Sequence, residues 1–373
     1  MSDRVFVFLE IFSREGGIQS YVKDVFQAYL NLNQTTEETA EVFLLRDESG
    51  CENPYETAKL KFHYLKTFPA WKGRSNLAIA LIKCFLLRRP RHVYCGHIKL
   101  APLIKLLCQP LGIRYTVLTY GKEVWQTLPL QEQKALQQAN SIWTISRYSR
   151  DRMVEANNID SQKVAILPCI VNSDRFTPGA KPPELLEKYG LNNATVLMTV
   201  ARLWSGDIYK GVDVTIRALP QILSKFPDVK YLVIGRGDDL PRLEALTQEL
   251  GVSDHVIFAG FVPTAELPNH YRVADAYIMP SQEGFGIVYL EAMACGKPVL
   301  SGDSDGSSDP LQDGLLGWQV PHRDVAAVAI AVQEILQGND PRCDGKWLRE
   351  ATLAKFSQSA LETQLKDLLI INS

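Results

Sequence analysis

Residues 274–302 read ADAYIMPSQEGFGIVYLEAMACGKPVLSG, and the order of elements in this stretch decides the architecture. AYIMP is a short apolar strand with a proline at its exit, residues 287–295 continue as a helix, and KPVLSG is a second buried strand. Strand, helix and strand in so short a span make a parallel β-α-β unit, whose strands are unbroken apolar runs because both their faces are covered. Gly284 and Gly286 occupy the turn into the helix, where backbone N–H groups approach an anion closely and the helix start favours negative charge. Glu283 precedes the helix and Glu291 lies within it. Eight residues at about 1.5 Å each set the two carboxylates roughly 12 Å apart, beyond the roughly 5–9.5 Å of glycosidase carboxylate pairs. The pair suits the two ends of one long ligand: a diphosphate on Gly286, Ile287 and Val288, a sugar hydroxyl at Glu283 and a ribose diol at Glu291. Such a ligand is a sugar joined to a nucleoside through phosphates. The competing reading is an ordinary strand–turn–helix with solvated glutamates.

The same alternation extends in both directions. VFVFLE, AEVFLL, RHVYC, YTVLTY, SIWTIS and VAIL read as buried parallel strands in the first half, with helical stretches such as 75–89 and 147–156 between them. RFTPGAKPPELLEKYG, rich in proline and polar residues, reads as a linker. TVLMTV, KYLVIG, HVIFAG, AYIMP and KPVLSG follow as a second series. Two doubly wound α/β domains facing each other are expected, with ligands at the carboxyl ends of the strands in a cleft between them.

Composition agrees with a soluble two-domain chain: 373 residues, 46% hydrophobic and 22% charged. The seven cysteines are scattered without CxxC spacing, which favours buried thiols in a reducing cytoplasm over a zinc site or disulfide framework. MSDRVFVFLE is not a signal peptide, and the apolar stretch 77–87 is broken by Lys83 and too short to span a bilayer. The net charge of −2 hides an asymmetry: 23 Lys and Arg against 17 Asp and Glu through Arg175, then 17 against 25. No acid occurs between Glu56 and Glu123, an interval holding thirteen Lys and Arg, which suggests an anionic partner.

The 283–291 segment resembles the E-x7-E signature of the retaining glycosyltransferases of the GT-B fold, family 4 in the usual grouping. Further segments resemble the same family in the same order, covering nearly the whole chain. GGIQSYV is similar to its glycine loop, which implies that Gly16 and Gly17 face the donor phosphates. ARLWSGDIYKGVDVTIRALP is similar to its R-x-KG segment, which makes Arg202 and Lys210 the implied diphosphate clamp; two cations there stabilise charge growing on a leaving diphosphate. VIGRGDD, with Gly235 and Arg236, and FAGFVP, with Phe261 and Val262, resemble the loops that seat the nucleotide. Gly284, Phe285, Gly286, Ile287 and Val288 complete the implied donor site around Glu283 and Glu291. SRYSRDRM and LPCIVNSDRF resemble the segments before the family's linker. Asp303-x-Asp305 has the form of a metal-binding pair, yet the resemblance makes it a loop beside the phosphates, with Gly306 and Ser307 giving backbone contacts. No obligatory cation and no other cofactor is expected.

One position departs from the family. YTVLTYGKEVW carries Tyr120 before Gly121 where the family usually has histidine, and a tyrosine of pKa near 10 is a poor base at neutral pH. The resemblance implies that the leaving phosphate itself accepts the acceptor's proton, so Tyr120 bears on that position's usual role rather than on transfer. His97, at the preceding strand end, is the other candidate near the sugar, against a capping or packed role.

The implied protein is a hexosyltransferase using GDP-mannose or a UDP-hexose, with a glycan or lipid-linked acceptor. Residues 1–177, with a terminal helix at about 356–373, are the expected acceptor domain; 190–355 are the expected donor domain. A nucleotide-sugar epimerase on the same fold and a catalytically weak sugar-nucleotide-binding protein are the alternatives. Residues 57–122, with SNLAIALIKCFLLRRPRH at their centre, have two readings: peripheral attachment of a cytoplasmic protein to the inner, anionic face of a membrane, or a core helix with solvated basic ends. No nucleic-acid-binding module accompanies the charge.

Overall fold

The computed structural model describes residues 2–34 and 38–371. They divide into two compact units, one formed by the chain to Ile170 together with Gln358 onward, the other by Val171–Ser357.

The first unit holds a seven-stranded sheet: β1 Ser2–Phe8, β2 Thr39–Leu44, β3 Leu60–Tyr64, β4 His92–Cys95, β5 Arg114–Leu118, β6 Ser141–Thr144 and β7 Val164–Ile166. Their order is β3-β2-β1-β4-β5-β6-β7 and every pairing is parallel. The strand order reverses between β1 and β4, where a doubly wound sheet opens a ligand crevice at its carboxyl edge. Aromatic rings fill one side of this sheet; Phe6 stacks on Tyr94 at 4.8 Å and meets Tyr29 edge-on at 5.5 Å. Such aromatic pairs add about 0.5–1.5 kcal/mol beyond the area they bury. Helix Gln358–Ile371 lies on helix Gly17–Leu32, where Asn31 Nδ2 donates to Glu362 Oε1 at 2.6 Å.

The second unit holds β8 Thr195–Val200, β9 Val229–Ile234, β10 Val256–Gly260, β11 Ala276–Ile278, β12 Val299–Gly302 and β13 Trp318–Val320. The order is β10-β9-β8-β11-β12-β13, again parallel throughout, with the reversal between β8 and β11. The GT-B fold class expected from the sequence is therefore present as two Rossmann-like sheets.

The two units meet at points slightly different from those expected. The first unit ends at Ile170, not at 177, and residues 178–189 are no free linker. They contain helix Pro183–Lys188 and are tied to the rest of the second unit by Lys181–Asp275 at 2.7 Å; just before them, Thr177 O accepts Arg272 Nε at 3.0 Å. Proline and polar composition marked the absence of long apolar runs, which these few side-chain contacts replace.

Candidate functional site

The loops leaving β8, β11 and β12 form the candidate site of the second unit, and Asp305 is its buried post. This carboxylate, 3% exposed, accepts the Glu283 N–H and both the N–H (2.8 Å) and hydroxyl of Ser307. Burial pushes its pKa up to about 7, against the lowering effect of those donors. Gly306 N returns to Glu283 O at 2.8 Å, so the two loops are laced together. A Cβ on Gly306 would stand 2.1 Å from Gly284 O, which leaves room for no other residue. Asp305 thus spends its oxygens on two backbone N–H groups and the Ser307 hydroxyl. Among the described residues no cluster of three or more His, Cys, Asp or Glu has metal-holding geometry.

Glu283 is carried on this frame. Its carboxylate takes a hydrogen bond from Lys210 Nζ, and each of the two side chains is 16% exposed. Lys210 closes the 3-10 segment Ser205–Lys210, whose Tyr209 carbonyl accepts Gln282 N at 3.0 Å, so the loops of both partners are joined through their backbones. Arg202, two residues past β8, pairs with Asp207 at 2.9 Å and lies 5.0 Å over the Trp204 ring while remaining 58% exposed. Helix Ile287–Ala294 begins at Gly286 with φ +92°, a conformation reserved for glycine here because a Cβ would also meet the Tyr289 ring at 2.5 Å. The N–H groups of Ile287 and Val288 belong to the first turn, which has no intrahelical acceptors.

Glu291 lies further along that helix. Tyr271 donates its hydroxyl to Glu291 Oε2 at 2.7 Å. Burial raises the Glu291 pKa to about 7, opposed by Tyr271 and by the charge of Arg175. Gly235, just beyond β9, donates to Gly260 O at 2.8 Å; the next residue, Arg236, stacks 4.7 Å over the ring of Phe261 beyond β10. Val262 beside it is buried. Phe285 differs from its neighbours: its ring is 2% exposed and packs on Phe356 at 5.9 Å, so only its backbone can meet a ligand.

In the first unit the sequence candidates fall at the carboxyl edge of the sheet with different outcomes. Gly16 caps helix Gly17–Leu32 without a side-chain acceptor. Tyr120 is 7% exposed, donates its hydroxyl to Gly96 O at 2.9 Å and meets Tyr21 edge-on. Burial carries its pKa well above the ordinary tyrosine value, so the hydroxyl stays protonated and is held on the Gly96 carbonyl. His97 Nδ1 accepts Lys99 N at 3.1 Å, capping a short 3-10 turn. Burial, then Lys99 and Arg46, lower its pKa to about 4. A neutral ring with Nδ1 accepting carries its proton on Nε2, which makes it a donor and not a base.

Sequence reading missed Asp305 as a post, Tyr271 as the partner of Glu291, and Asp47. The last is fully buried and accepts the N–H groups of Ile11, Phe12 and Ser13 at 2.6, 3.0 and 2.7 Å, fixing the loop after β1. Such pairings join residues far apart in the chain and leave no local pattern.

Clustered cations, a helix amino end and a carboxylate, all at the reversal point of a doubly wound sheet, define a nucleotide-binding class of protein. Comparison with known proteins makes it narrower. Residues 183–346 match the family model described as glycosyl transferases group 1. A GDP-mannose-dependent alpha-(1-6)-phosphatidylinositol monomannoside mannosyltransferase of Mycobacterium tuberculosis is 34% identical over 265 residues, covering 67% of this chain and 68% of that protein. The protein of the same description from Mycolicibacterium smegmatis is 37% identical over 258 residues, 65% and 66% of the two chains. The alignments thus span about two thirds of these relatives. Among solved structures, sucrose-phosphate synthase from Thermosynechococcus elongatus superposes with TM-score 0.77 at 20% identity over 100% of both chains. Anabaena Alr3699/HepE in complex with UDP gives 0.75 at 16% identity over 99% of each. The chain belongs to the group 1 glycosyltransferases and has their GT-B fold.

Proposed function

We propose that this glycosyltransferase moves a hexosyl group, mannosyl from GDP-mannose, to a glycan or lipid-linked acceptor with retention of anomeric configuration. The observation that carries the reading is the Lys210–Glu283 pair beside Arg202 at the reversal point of the second sheet. On this reading the second unit takes the donor and the first the acceptor. The diphosphate lies on Gly286, Ile287 and Val288 and draws Lys210 and Arg202 towards it. Glu283, relieved of Lys210, accepts hydrogen bonds from the hexose hydroxyls; Glu291 holds the ribose diol; Arg236 and Phe261 flank the base.

Charge grows on the diphosphate as the glycosidic bond breaks, and Arg202 with Lys210 answers it, so no metal ion is required. The departing phosphate oxygen takes the acceptor's proton. An epimerase would need a base at a sugar carbon, and neither Tyr120, whose hydroxyl is given to Gly96, nor His97, whose Nδ1 is engaged, offers one. The relatives' printed substrates support a phosphatidylinositol-type acceptor. Peripheral attachment at the cytoplasmic face of a membrane would bring the protein to it.

The test combines binding and turnover. GDP-mannose should raise the melting temperature by several degrees at concentrations well above its Kd, as mass action requires. UDP-hexoses should not. Lys210→Gln should lower kcat by about 100- to 1000-fold, the usual effect of losing a donor aimed at developing charge, in the presence of chelator as well as without it. Product NMR should show the anomeric configuration of the donor. No response to any nucleoside diphosphate or its sugar would end the reading.

A further inference from the structure

The sheet order sets the exits of β2, β1 and β4 side by side, with the order reversing between the last two. They are held flush: Arg46 N donates to Leu9 O and Gly96 N to Val7 O, both at 2.8 Å. Three side chains leave the backbone here: Glu10 after β1, Arg46 after β2 and His97 after β4. The Glu10 side chain is 16% exposed, and the cations nearest to it, Arg14 and Arg46, both stand 3.7 Å away, too far for a hydrogen bond. Asp47 pins the next three backbone N–H groups, so the carboxylate is presented from a fixed loop. Arg46 is 51% exposed, and among the described residues its side chain is held only by the loose 3.7 Å ion pair with Glu10. Its charge reaches His97, whose lowered pKa it helps to set.

We propose that Glu10, Arg46 and His97 form an acceptor-recognition site for a phosphorylated ring polyol. The inference rests on the glycosyltransferase reading above and names the acceptor's class. An ionised carboxylate accepts from vicinal hydroxyls, a guanidinium takes a phosphate through two parallel N–H bonds, and the neutral imidazole donates Nε2–H to a ring hydroxyl. A neutral sugar has no use for Arg46, and a bare phosphate has none for Glu10. The combination selects a molecule carrying both groups, either free in solution or as the head group of a membrane lipid.

Three acceptor probes separate the possibilities: myo-inositol, myo-inositol 1-phosphate, and phosphatidylinositol in phosphatidylcholine vesicles. Acceptor KM with GDP-mannose as donor, and calorimetric binding of myo-inositol 1-phosphate, are measured for the native chain, Arg46→Gln and Glu10→Gln. Arg46→Gln should weaken both phosphorylated acceptors by roughly tenfold or more, the scale of a lost charge-assisted hydrogen bond, and leave myo-inositol within twofold. Glu10→Gln should weaken all three. The Kd for GDP-mannose should stay constant, and whichever phosphorylated probe turns over faster identifies the source. Acceptor constants within twofold of native in both variants would overturn the proposal, as would an Arg46→Gln loss equally large with myo-inositol. If GDP-mannose fails to bind the native chain, the donor reading falls, while calorimetry with myo-inositol 1-phosphate still decides this site.

Discussion

Glu291 is the residue whose protonation state matters most near neutral pH. On the proposed reading Glu291 accepts two ribose hydroxyls and works best ionised, yet its surroundings hold its pKa at about 7, chiefly through burial. Tyr271, fully buried in helix Leu267–Val273, opposes this with a single 2.7 Å hydrogen bond. GDP-mannose, whose diphosphate does not titrate near neutrality, should therefore bind more weakly as pH falls from 8 to 6. Glu291→Gln should remove that slope. Tyr271→Phe deletes the donor that favours the charged form, so the slope should shift to higher pH, with the affinity at pH 8 reduced roughly tenfold. A 2′,3′-dideoxy analogue should bind native and Tyr271→Phe protein alike; calorimetry across pH checks all three expectations. The carboxylate itself was legible from its spacing to Glu283. Tyr271 was not, because it reaches Glu291 across twenty residues and only the packing of Phe176 and Tyr277 around its ring sets the direction of its hydroxyl.

Among the elements, the buried strands were the most legible, since strands covered on both faces must be continuous apolar runs. Two strands escaped. β3, LKFHY, lies at the edge of its sheet and carries Lys61 and His63 on a partly open surface; β13, WQV, is three residues long. Helix Ala70–Arg88 has the buried stripe and the basic end that the core-helix reading of its sequence expected. Gly73, Leu77, Leu81, Cys84 and Phe85 form an inward stripe, and Arg88 turns to the buried Glu41. The outer face still exposes Trp71 (61%), Ile79 (63%) and Leu87 (72%), with Lys72, Lys83 and Arg89 exposed among them. Large apolar side chains interleaved with cations on a helix suit insertion into the headgroup layer of an anionic membrane. No helix among the described residues is long and apolar enough to cross one. Vesicles with anionic lipid should carry the protein upward in flotation, neutral vesicles much less, and Trp71→Ser with Leu87→Ser should abolish flotation while leaving the far-UV circular dichroism unchanged. Equal flotation of native protein and double variant would remove this helix from the membrane contact.

For the molecule as a whole, buried carboxylates set how stability responds to pH. Asp24 in the first unit and Asp305 and Glu291 in the second each have a pKa raised to about 7, in every case mainly by burial. An unfolded chain releases these protons near pH 4. Between about 4 and 7 the folded chain therefore binds more protons, and stability falls as pH rises through that window. His97, lowered to about 4, acts in the opposite sense up to its unfolded value near 6.5, and His270 is lowered as well. The opposing terms overlap at acid pH and separate above about 6.5, where only the carboxylates still titrate. The melting temperature of the ligand-free protein should therefore drop by roughly 5 °C between pH 6.5 and 8, a few kcal/mol on a chain this size. Asp24 is the informative position, because its burial is opposed only by the neighbouring charge of Lys23. Asp24→Asn keeps the shape and removes the titration, so it should raise the melting temperature clearly more at pH 8 than at pH 5. Calorimetric scans showing the same increment at both values would mean that the carboxylate is hydrated in solution and that its charge costs the fold nothing.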